Sequence, residues 1–275
     1  MRLLIAFVIL SGVQVAWSKG NCLSRDIELE KTGFQVQVSK FQTENENQKS
    51  ILIVPPTGGT NFMDRSYAKF FCENGYDVFI LNHWTDDDEY SLDLQIHERF
   101  YSRAQQAVEL TLSYINSRFI GVLGTSVGAI HAVNAIQSFS KIDAAFLIVG
   151  GGPIPEVIAN SDQEVLVQAR QRRFELYSFK NINEYIQILR KNLTFNSFKK
   201  SANPHLQVGM VIADADTTMP TKNQIELQSV LAPKKILHVD GNHLFAILKT
   251  WLCYKTEIVH FFELSRTNKY EGEIL

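Results

Sequence analysis

The fold is decided by the stretch FIGVLGTSVGAIHAV, residues 119–133. An apolar run over residues 119–123 leads directly into Gly124-Thr125-Ser126-Val127-Gly128, and helix-forming residues follow. A short, continuous apolar run is typical of a strand that is buried on both faces of a parallel sheet. The segment therefore predicts a strand, a sharp turn with Ser126 at its centre, and a helix.

The glycines on either side of Ser126 complete a G-x-S-x-G turn between this strand and this helix. Such a turn strains the backbone of its central serine and brings neighbouring chain so close that a Cβ atom at residue 124 or 128 would collide with it. A serine hydroxyl is a weak nucleophile at neutral pH and needs a base that a carboxylate orients. Ser126 is thus the predicted nucleophile, and the chain should also supply an imidazole and a carboxylate.

Apolar runs of the same kind recur along the chain, and helical patterns separate them. The runs are residues 51–54, 78–81, 144–149, 208–212 and 236–239, and the helical patterns are residues 66–73, 91–117, 127–138 and 224–231. This alternation predicts right-handed βαβ units around one parallel sheet. Residues 27–30 and 34–41 flank Lys31-Thr32-Gly33 and predict an opening β-hairpin, since the second run alternates apolar and polar side chains.

The two remaining groups of the predicted triad follow two of these strands. Asp216 comes shortly after the run 208–212, and His243 comes shortly after the run 236–239. Because parallel strands end at one edge of a sheet, both side chains should lie near Ser126. The chain order Ser, Asp, His is the order expected for a G-x-S-x-G turn of this kind.

Other acids and imidazoles compete for these two roles. Asp214 is the alternative acid, although a strand-end residue commonly bonds to local backbone. Six other histidines compete with His243, namely His83, His97, His131, His205, His238 and His260. We expect structural roles for His131, His238 and His260, whereas His83 and His97 lie where they can contact substrate.

The loop after the run 51–54 carries the predicted oxyanion hole. It reads Pro55-Pro56-Thr57-Gly58-Gly59-Thr60-Asn61, and bare glycine backbone lets a carbonyl oxygen approach closely. An oxyanion hole needs two N–H donors aimed at the developing charge. We assign one to the backbone of Val127 and the other to Gly59, with Thr60 as the alternative.

These motifs together resemble the α/β-hydrolase superfamily, and the resemblance covers nearly the whole chain after residue 18. It implies a mostly parallel eight-stranded sheet flanked by helices, with a helical cap inserted after the sixth strand. By position, Ser126 matches the nucleophile, Asp216 the acid and His243 the base. Residues 216–220 resemble the family's acid turn, and residues 241–243 resemble its histidine loop. Thr57 stands where the family's oxyanion loop usually carries histidine.

The gap between residues 152 and 206 is too long for a simple crossover and predicts the cap, at about residues 153–204. Residues 163–177 and 182–193 are helical in pattern and rich in Arg, Lys and Gln. Insertions at the carboxyl edge of an open α/β sheet shape substrate sites. A cap with long apolar and basic side chains suits an acyl chain with an anionic head. The final helix carries an apolar pattern that predicts core packing and a fixed position for His243, with Leu244, Ile247, Leu248, Trp251, Leu252, Ile258, Val259 and Phe262.

The N-terminus predicts export. Residues 1–18 combine Arg2, an apolar run and small residues at the end, as a secretory signal does, and residues 19–275 form the remaining domain. The protein would be secreted or periplasmic, and an uncleaved membrane anchor is the alternative. Cys22, Cys72 and Cys253 lack zinc-site spacing. One pair can bridge after export, but the helical surroundings of Cys72 and Cys253 favour buried free thiols.

Composition narrows the class of function. The 275 residues are 45% hydrophobic and 20% charged, with a formal net charge of −2, which excludes a disordered or coiled-coil chain and gives no general attraction to nucleic acid. The sequence therefore predicts a serine hydrolase for a carboxylic ester or thioester, acting on a small-molecule or lipid-like acyl substrate without metal or organic cofactor. A peptidase or amidase and a non-catalytic binding protein of the same fold are the alternatives. We expect no stable membrane span once the signal is removed.

Overall fold

A computed structural model describes residues 22–31, 33–43, 48–56, 58–82, 91–193 and 203–272. The predicted signal segment, Thr57 and His83 lie outside these residues. Within the described part of the chain, no helix combines the length and the apolar character needed to cross a bilayer.

Eight strands form one mostly parallel sheet in the order β1-β2-β4-β3-β5-β6-β7-β8. The strands are β1 (Leu23–Lys31), β2 (Phe34–Gln42), β3 (Lys49–Val54), β4 (Asp77–Leu81), β5 (Phe119–Thr125), β6 (Ala144–Ile148), β7 (Gln207–Ala213) and β8 (Lys235–Val239). The hairpin β1–β2 is antiparallel, as is the pair β2–β4, and the other neighbours are parallel. The predicted hairpin and the predicted parallel strands are confirmed.

Helices cover both faces of the sheet. They are α1 (Phe62–Glu73), α2 (Leu94–Tyr114), α3 (Val127–Ser138), α4 (Ile154–Asn160), α5 (Glu164–Tyr177), α6 (Ile182–Asn192), α7 (Thr221–Leu231), α8 (His243–Cys253) and α9 (Lys255–Gly272). Leu52 and Val54 of β3 pack in the core on the side of α2 and α3, whereas Ile51 and Ile53 pack in the core on the side of α1 and α9. Burial on both faces explains why the central strands are continuous apolar runs.

Three helices, α4 to α6, lie between β6 and β7, in the segment predicted as the cap. The sequence pattern predicts α5 and α6 but not α4, which has only seven residues and carries Pro155 in its first turn. Proline favours the first turn of a helix, because its missing N–H would have no acceptor there. The end of the predicted cap, residues 194–202, lies outside the described residues.

The prediction for the last helix is wrong in two respects. The apolar pattern 244–262 forms two helices, α8 and α9, with Tyr254 between them. Moreover, Leu244, Leu248 and Leu252 are exposed rather than packed in the core, whereas Ile247, Ile258, Val259 and Phe262 are buried as predicted. The helical spacing correctly predicts that these leucines share one face of the helix. No other element of the described chain covers that face.

The cysteines also differ from the expectation of buried free thiols. Cys22 and Cys72 form a disulfide that joins the start of β1 to α1. Cys253 is a free thiol and is exposed. Spacing along the chain gave no sign of the bridge, because the two residues are fifty positions apart and meet only through the packing of α1 against the sheet.

Candidate active site

Ser126 lies in the turn that joins β5 to α3. Its backbone has φ 56° and ψ −121°, a strained conformation for a residue with a side chain, and its N–H donates to the carbonyl of Ile148 at 2.9 Å. The turn presents the Ser126 hydroxyl at the carboxyl edge of the sheet. Strain of this kind at a strand-to-helix turn is the feature that the G-x-S-x-G pattern predicts.

The two glycines of the turn are required by close packing. A Cβ atom at Gly124 would lie 2.6 Å from the Cα of Ala129, in the first turn of α3. At Gly128, a Cβ atom would collide with the backbone carbonyls of Val54 and Pro55 at the end of β3. The glycines therefore allow α3 to start directly beneath the loop that follows β3.

His243 is positioned by the start of α8. Asn242 caps this helix, and its side-chain oxygen accepts the N–H of Phe245 at 3.0 Å. Gly241, with φ 115°, makes the turn that precedes the cap. The N-cap asparagine was readable from the sequence, since Asn before an apolar helical pattern is a typical start signal.

Asp216 lies in the turn between β7 and α7 and is almost fully buried. Its Oδ1 accepts the backbone N–H groups of Thr218 and Met219 at 3.0 and 2.8 Å, and its Oδ2 accepts an N–H from the side chain of Gln224 at 2.8 Å. Three donors stabilise the carboxylate and fix its direction. Sequence reasoning missed Gln224, because a glutamine within a helical pattern gives no local signal of this role.

The three side chains form one hydrogen-bonded chain. Nε2 of His243 lies 2.9 Å from Oγ of Ser126, and Nδ1 of His243 lies 2.7 Å from Oδ2 of Asp216. In this arrangement the carboxylate accepts the Nδ1 proton and leaves Nε2 free to accept the serine proton. The geometry can therefore turn the hydroxyl of Ser126 into a nucleophile.

The competing acid and imidazoles lie elsewhere. Asp214 bonds to His238 at 3.1 Å, and both side chains are largely exposed. His131 is fully buried in α3 beside Gln105, and burial lowers its pKa to about 3. His97 is buried against Arg173 and is not among the residues that line the cavity at Ser126. The exposed side chains of His205 and His260 do not reach it either, and His83 is outside the described residues.

Of the predicted oxyanion donors, Val127 has a backbone N–H that needs no rearrangement. Val127 lies beside Ser126 in the first turn of α3, where backbone N–H groups have no acceptor within the helix. The N–H of Gly59 donates to the carbonyl of Pro56 at 3.2 Å, and that of Thr60 donates to the carbonyl of Asn82 at 3.0 Å. Gly59 or Thr60 can thus serve as a donor only after exchanging its present acceptor for the substrate oxygen.

A cavity of about 330 Å³ opens at Ser126 and His243. Its other walls are mainly apolar and include Ile130 of α3, Met63 of α1, Leu244 of α8, and residues of α4 and α5 such as Ile158 and Leu166. The cap helices therefore form one side of the cavity. Among the residues that line the cavity, only His243 and Tyr101 have titratable side chains. The walls therefore suit an uncharged, apolar group.

The basic residues in the described part of the cap do not line the cavity at Ser126. Arg170 donates to the carbonyls of Ile158, Ala159 and Ser161 within the cap, and Arg190 forms an ion pair with Glu156. None of these arginines lines the cavity. They hold the cap helices together, so the composition of the cap reflects its own packing.

Asp162 links the cap to the turn that carries Asp216. Its carboxylate accepts hydrogen bonds from the hydroxyls of Thr217 and Thr218, and its backbone N–H donates to the carbonyl of Thr217. The hydroxyl of Thr217 is the main cause that holds the pKa of Asp162 below its ordinary range. The sequence pattern missed this contact, because Asp162 is more than fifty positions from the threonines.

Another cleft, of about 400 Å³, lies at the opposite end of the strands. Its walls are polar and include Ser117, Asp143 and Gln207, near the starts of β5, β6 and β7. Ligands of open α/β sheets bind outside the carboxyl ends of the strands, so the smaller apolar cavity at Ser126 is the better candidate for substrate. The described residues contain no cluster of three potential metal ligands.

No model of a known protein family matches the chain, and no curated protein sequence does. Several solved structures, however, are similar to the chain. The chain is similar to an esterase of Pyrococcus furiosus, with a TM-score of 0.59 and 15% identity over 88% of this chain and 92% of that one. It is similar to an acetyl xylan esterase from Paenibacillus sp. R4, with a TM-score of 0.63 and 15% identity over 90% of each chain.

It is also similar to an acylaminoacyl peptidase of Pyrococcus horikoshii, with a TM-score of 0.64 and 15% identity over 90% of this chain and 42% of that one. At such low identity, the likeness extends to the arrangement of strands and helices alone. The eight-stranded sheet, its strand order and these neighbours show that the chain has the α/β-hydrolase fold.

Proposed function

We propose that the protein is a serine hydrolase that cleaves a carboxylic ester or thioester through an acyl-enzyme. The observation that carries the proposal is the hydrogen-bonded chain from Asp216 through His243 to Ser126, at a strained turn that opens into an apolar cavity. The structural likeness to esterases is consistent with this chemistry.

In the first half of the reaction, Oγ of Ser126 attacks the carbonyl carbon while Nε2 of His243 takes the hydroxyl proton. Asp216 stabilises the resulting imidazolium through Nδ1. The negative charge that develops on the substrate oxygen is stabilised by the N–H of Val127 and a second donor in the loop after β3. The tetrahedral intermediate then expels the alcohol or thiol, which takes the proton from His243.

In the second half, water attacks the acyl-enzyme. His243 now takes a proton from the water and returns it to Oγ of Ser126 when the carboxylic acid leaves. The apolar cavity holds the acyl chain in both halves. Each buried CH2 group is worth about 0.8 kcal/mol, so kcat/KM should rise about fourfold per added methylene until the cavity is full.

Labelling with a fluorophosphonate probe tests the nucleophile. The wild-type protein should react, Ser126→Ala should not, and Ser138→Ala, which changes an exposed serine at the end of α3, should react normally. A p-nitrophenyl ester series and the matching anilides then separate the activities. Faster cleavage of esters supports an esterase, faster cleavage of anilides indicates an amidase, and no labelling or turnover of either indicates a binding protein.

Export is part of the proposal. The bridge between Cys22 and Cys72 supports it, since disulfides persist in oxidising compartments and are rare in the cytosol. N-terminal sequencing of the exported protein should find residue 19 first. An N-terminus at residue 1 on membrane-bound protein would instead indicate an anchor.

A further inference from the structure

Helix α8 exposes a row of large apolar side chains. Leu244, Phe245, Leu248 and Leu252 are 68%, 51%, 37% and 60% exposed. These positions lie on one face of the helix, because residues one, four and eight positions apart fall within a single stripe at 3.6 residues per turn. Single exposed leucines are common on protein surfaces, but a contiguous stripe of this size marks an interaction site.

The stripe continues onto helix α1. Phe62 is 64% exposed, and its ring packs edge-on against Trp251 of α8 with 5.4 Å between the ring centroids. We refer to Phe62, Leu244, Phe245, Leu248 and Leu252 together as the apolar patch. It spans two helices from different parts of the chain, so it is a feature of the tertiary structure.

The apolar patch begins at the mouth of the cavity. Leu244 directly follows His243 and lines the cavity together with Met63, which follows Phe62. An apolar surface therefore runs from the outside of the protein to the hydroxyl of Ser126, and the described residues that line the cavity include no Asp, Glu, Lys or Arg. An acyl chain that leaves an apolar phase along this path exchanges one apolar environment for another.

Cationic side chains border the apolar patch. Nζ of Lys255 lies 5.0 Å from the centre of the Trp251 ring and donates to the hydroxyl of Ser66 at 3.2 Å. Arg65 is exposed on α1, one turn from Phe62, and Lys249 is the only lysine or arginine of α8. No Asp or Glu occurs in residues 243–253. Leucine and aromatic side chains with a basic border suit the head-group region of a membrane with anionic lipids.

We propose that the apolar patch docks the protein on a lipid surface that carries anionic head groups. The docking itself depends on the patch alone, whereas delivery of an acyl substrate from that surface to Ser126 rests on the proposed function. A second copy of the chain fits less well. A twofold contact would put Arg65, Lys249 and Lys255 of both copies into one interface, to which α8 contributes no acidic side chain to balance them.

Sedimentation with vesicles tests the docking. Wild-type protein should bind vesicles of phosphatidylcholine with phosphatidylserine more tightly than vesicles of phosphatidylcholine alone. The double variant Leu248→Glu/Leu252→Glu should lower the partition coefficient by about tenfold or more, because it replaces apolar contacts with anionic side chains. Leu264→Glu on α9 is the matched control, since Leu264 is exposed to a similar degree outside the patch and should bind like wild type.

Further measurements separate the possible outcomes. The double variant should still unfold in one cooperative urea transition and keep the wild-type rate on a soluble short-chain ester, which shows that the fold and the catalytic groups are intact. Absence of wild-type binding, or binding that the double variant retains, overturns the docking. So does a wild-type dimer in sedimentation velocity that the double variant dissociates. Vesicle binding without esterase activity would leave the docking standing and overturn the proposed function.

Discussion

The side chain of Gln224 donates to Oδ2 of Asp216, the oxygen that also bonds to Nδ1 of His243. The same amide nitrogen donates to the carbonyl of Met219, and the amide oxygen accepts the N–H of Ala213 at the end of β7. Gln224 thus ties the start of α7 to the strand end and fixes the carboxylate between them. Asp216 is aimed at the imidazole by this network, and Asp214 is not.

Replacing the acid should abolish most of the activity. In Asp216→Asn the amide favours the wrong tautomer of His243, and kcat should fall by about 10⁴-fold. Asp214→Asn is the matched control and should keep activity within about twofold, since the carboxylate of Asp214 bonds to the exposed His238 and not to His243. The kcat for ester hydrolysis is measured for both variants. Equal losses in the two variants would refute the assignment of Asp216 as the acid.

Arg173 should be important for stability. It is fully buried in α5 and donates to Nδ1 of His97, the hydroxyl of Tyr185 and the backbone carbonyls of Ser91 and Leu92. Arg173→Met leaves these groups without their donor and should lower the free energy of unfolding by about 3 kcal/mol.

Urea denaturation measures this loss, and Arg172→Met is the control at the exposed neighbouring position. The control should stay within about 0.5 kcal/mol of the wild type. An equally small effect of Arg173→Met would show that the cap is not held through this side chain.

The dependence of stability on pH should follow three buried groups. Burial lowers the pKa of His131 and, together with Arg173, that of His97, each to about 3, and burial raises the pKa of Asp64 to about 7. Between about pH 4 and 6.5 the unfolded chain therefore binds more protons at the two histidines and fewer at Asp64. Stability should rise with pH by about 1.4 kcal/mol per unit near pH 5, the net effect of one proton, and less steeply towards pH 6.5, where the unfolded histidines lose their protons.

Two variants should change this slope in opposite directions. His131→Phe removes one group that makes the free energy of unfolding rise with pH, so the slope should become smaller. Asp64→Asn removes the group that makes it fall with pH, so the slope should become larger. Urea denaturation across the window measures both slopes. Wild-type slopes in both variants would contradict the burial of these groups.

The disulfide should stabilise the protein by restricting the unfolded chain. A bridge that closes a loop of about fifty residues is worth about 4 kcal/mol in the chain-entropy treatment. Cys22→Ser should lower the free energy of unfolding by an amount of this order. Cys253→Ser should leave it unchanged, because Cys253 is exposed and free. A reductant should destabilise the wild type and not Cys22→Ser. A wild-type protein whose stability does not change in reductant would exclude the bridge.

Much of the fold was predictable because its signals are local. The apolar runs of β3 and β5 arise from burial on both faces of the sheet, and the glycines at residues 124 and 128 arise from backbone contacts at one turn. Both kinds of constraint act on neighbouring positions, so they are readable from one chain. The seven-residue helix α4 was not readable, since it is shorter than two repeats of the helical pattern.

Local sequence patterns predicted the strand–turn–helix around Ser126, the parallel sheet, and Asp216 and His243 as the candidates for acid and base. Contacts between distant segments were needed to see that Asp216 rather than Asp214 bonds to His243, that Cys22 pairs with Cys72, and that the leucines of α8 lie on the surface. The physical reason is the range of the interactions. Backbone strain and strand burial constrain adjacent residues, whereas hydrogen-bond partners, bridges and the covering of a helix face depend on segments that meet only when the chain has folded.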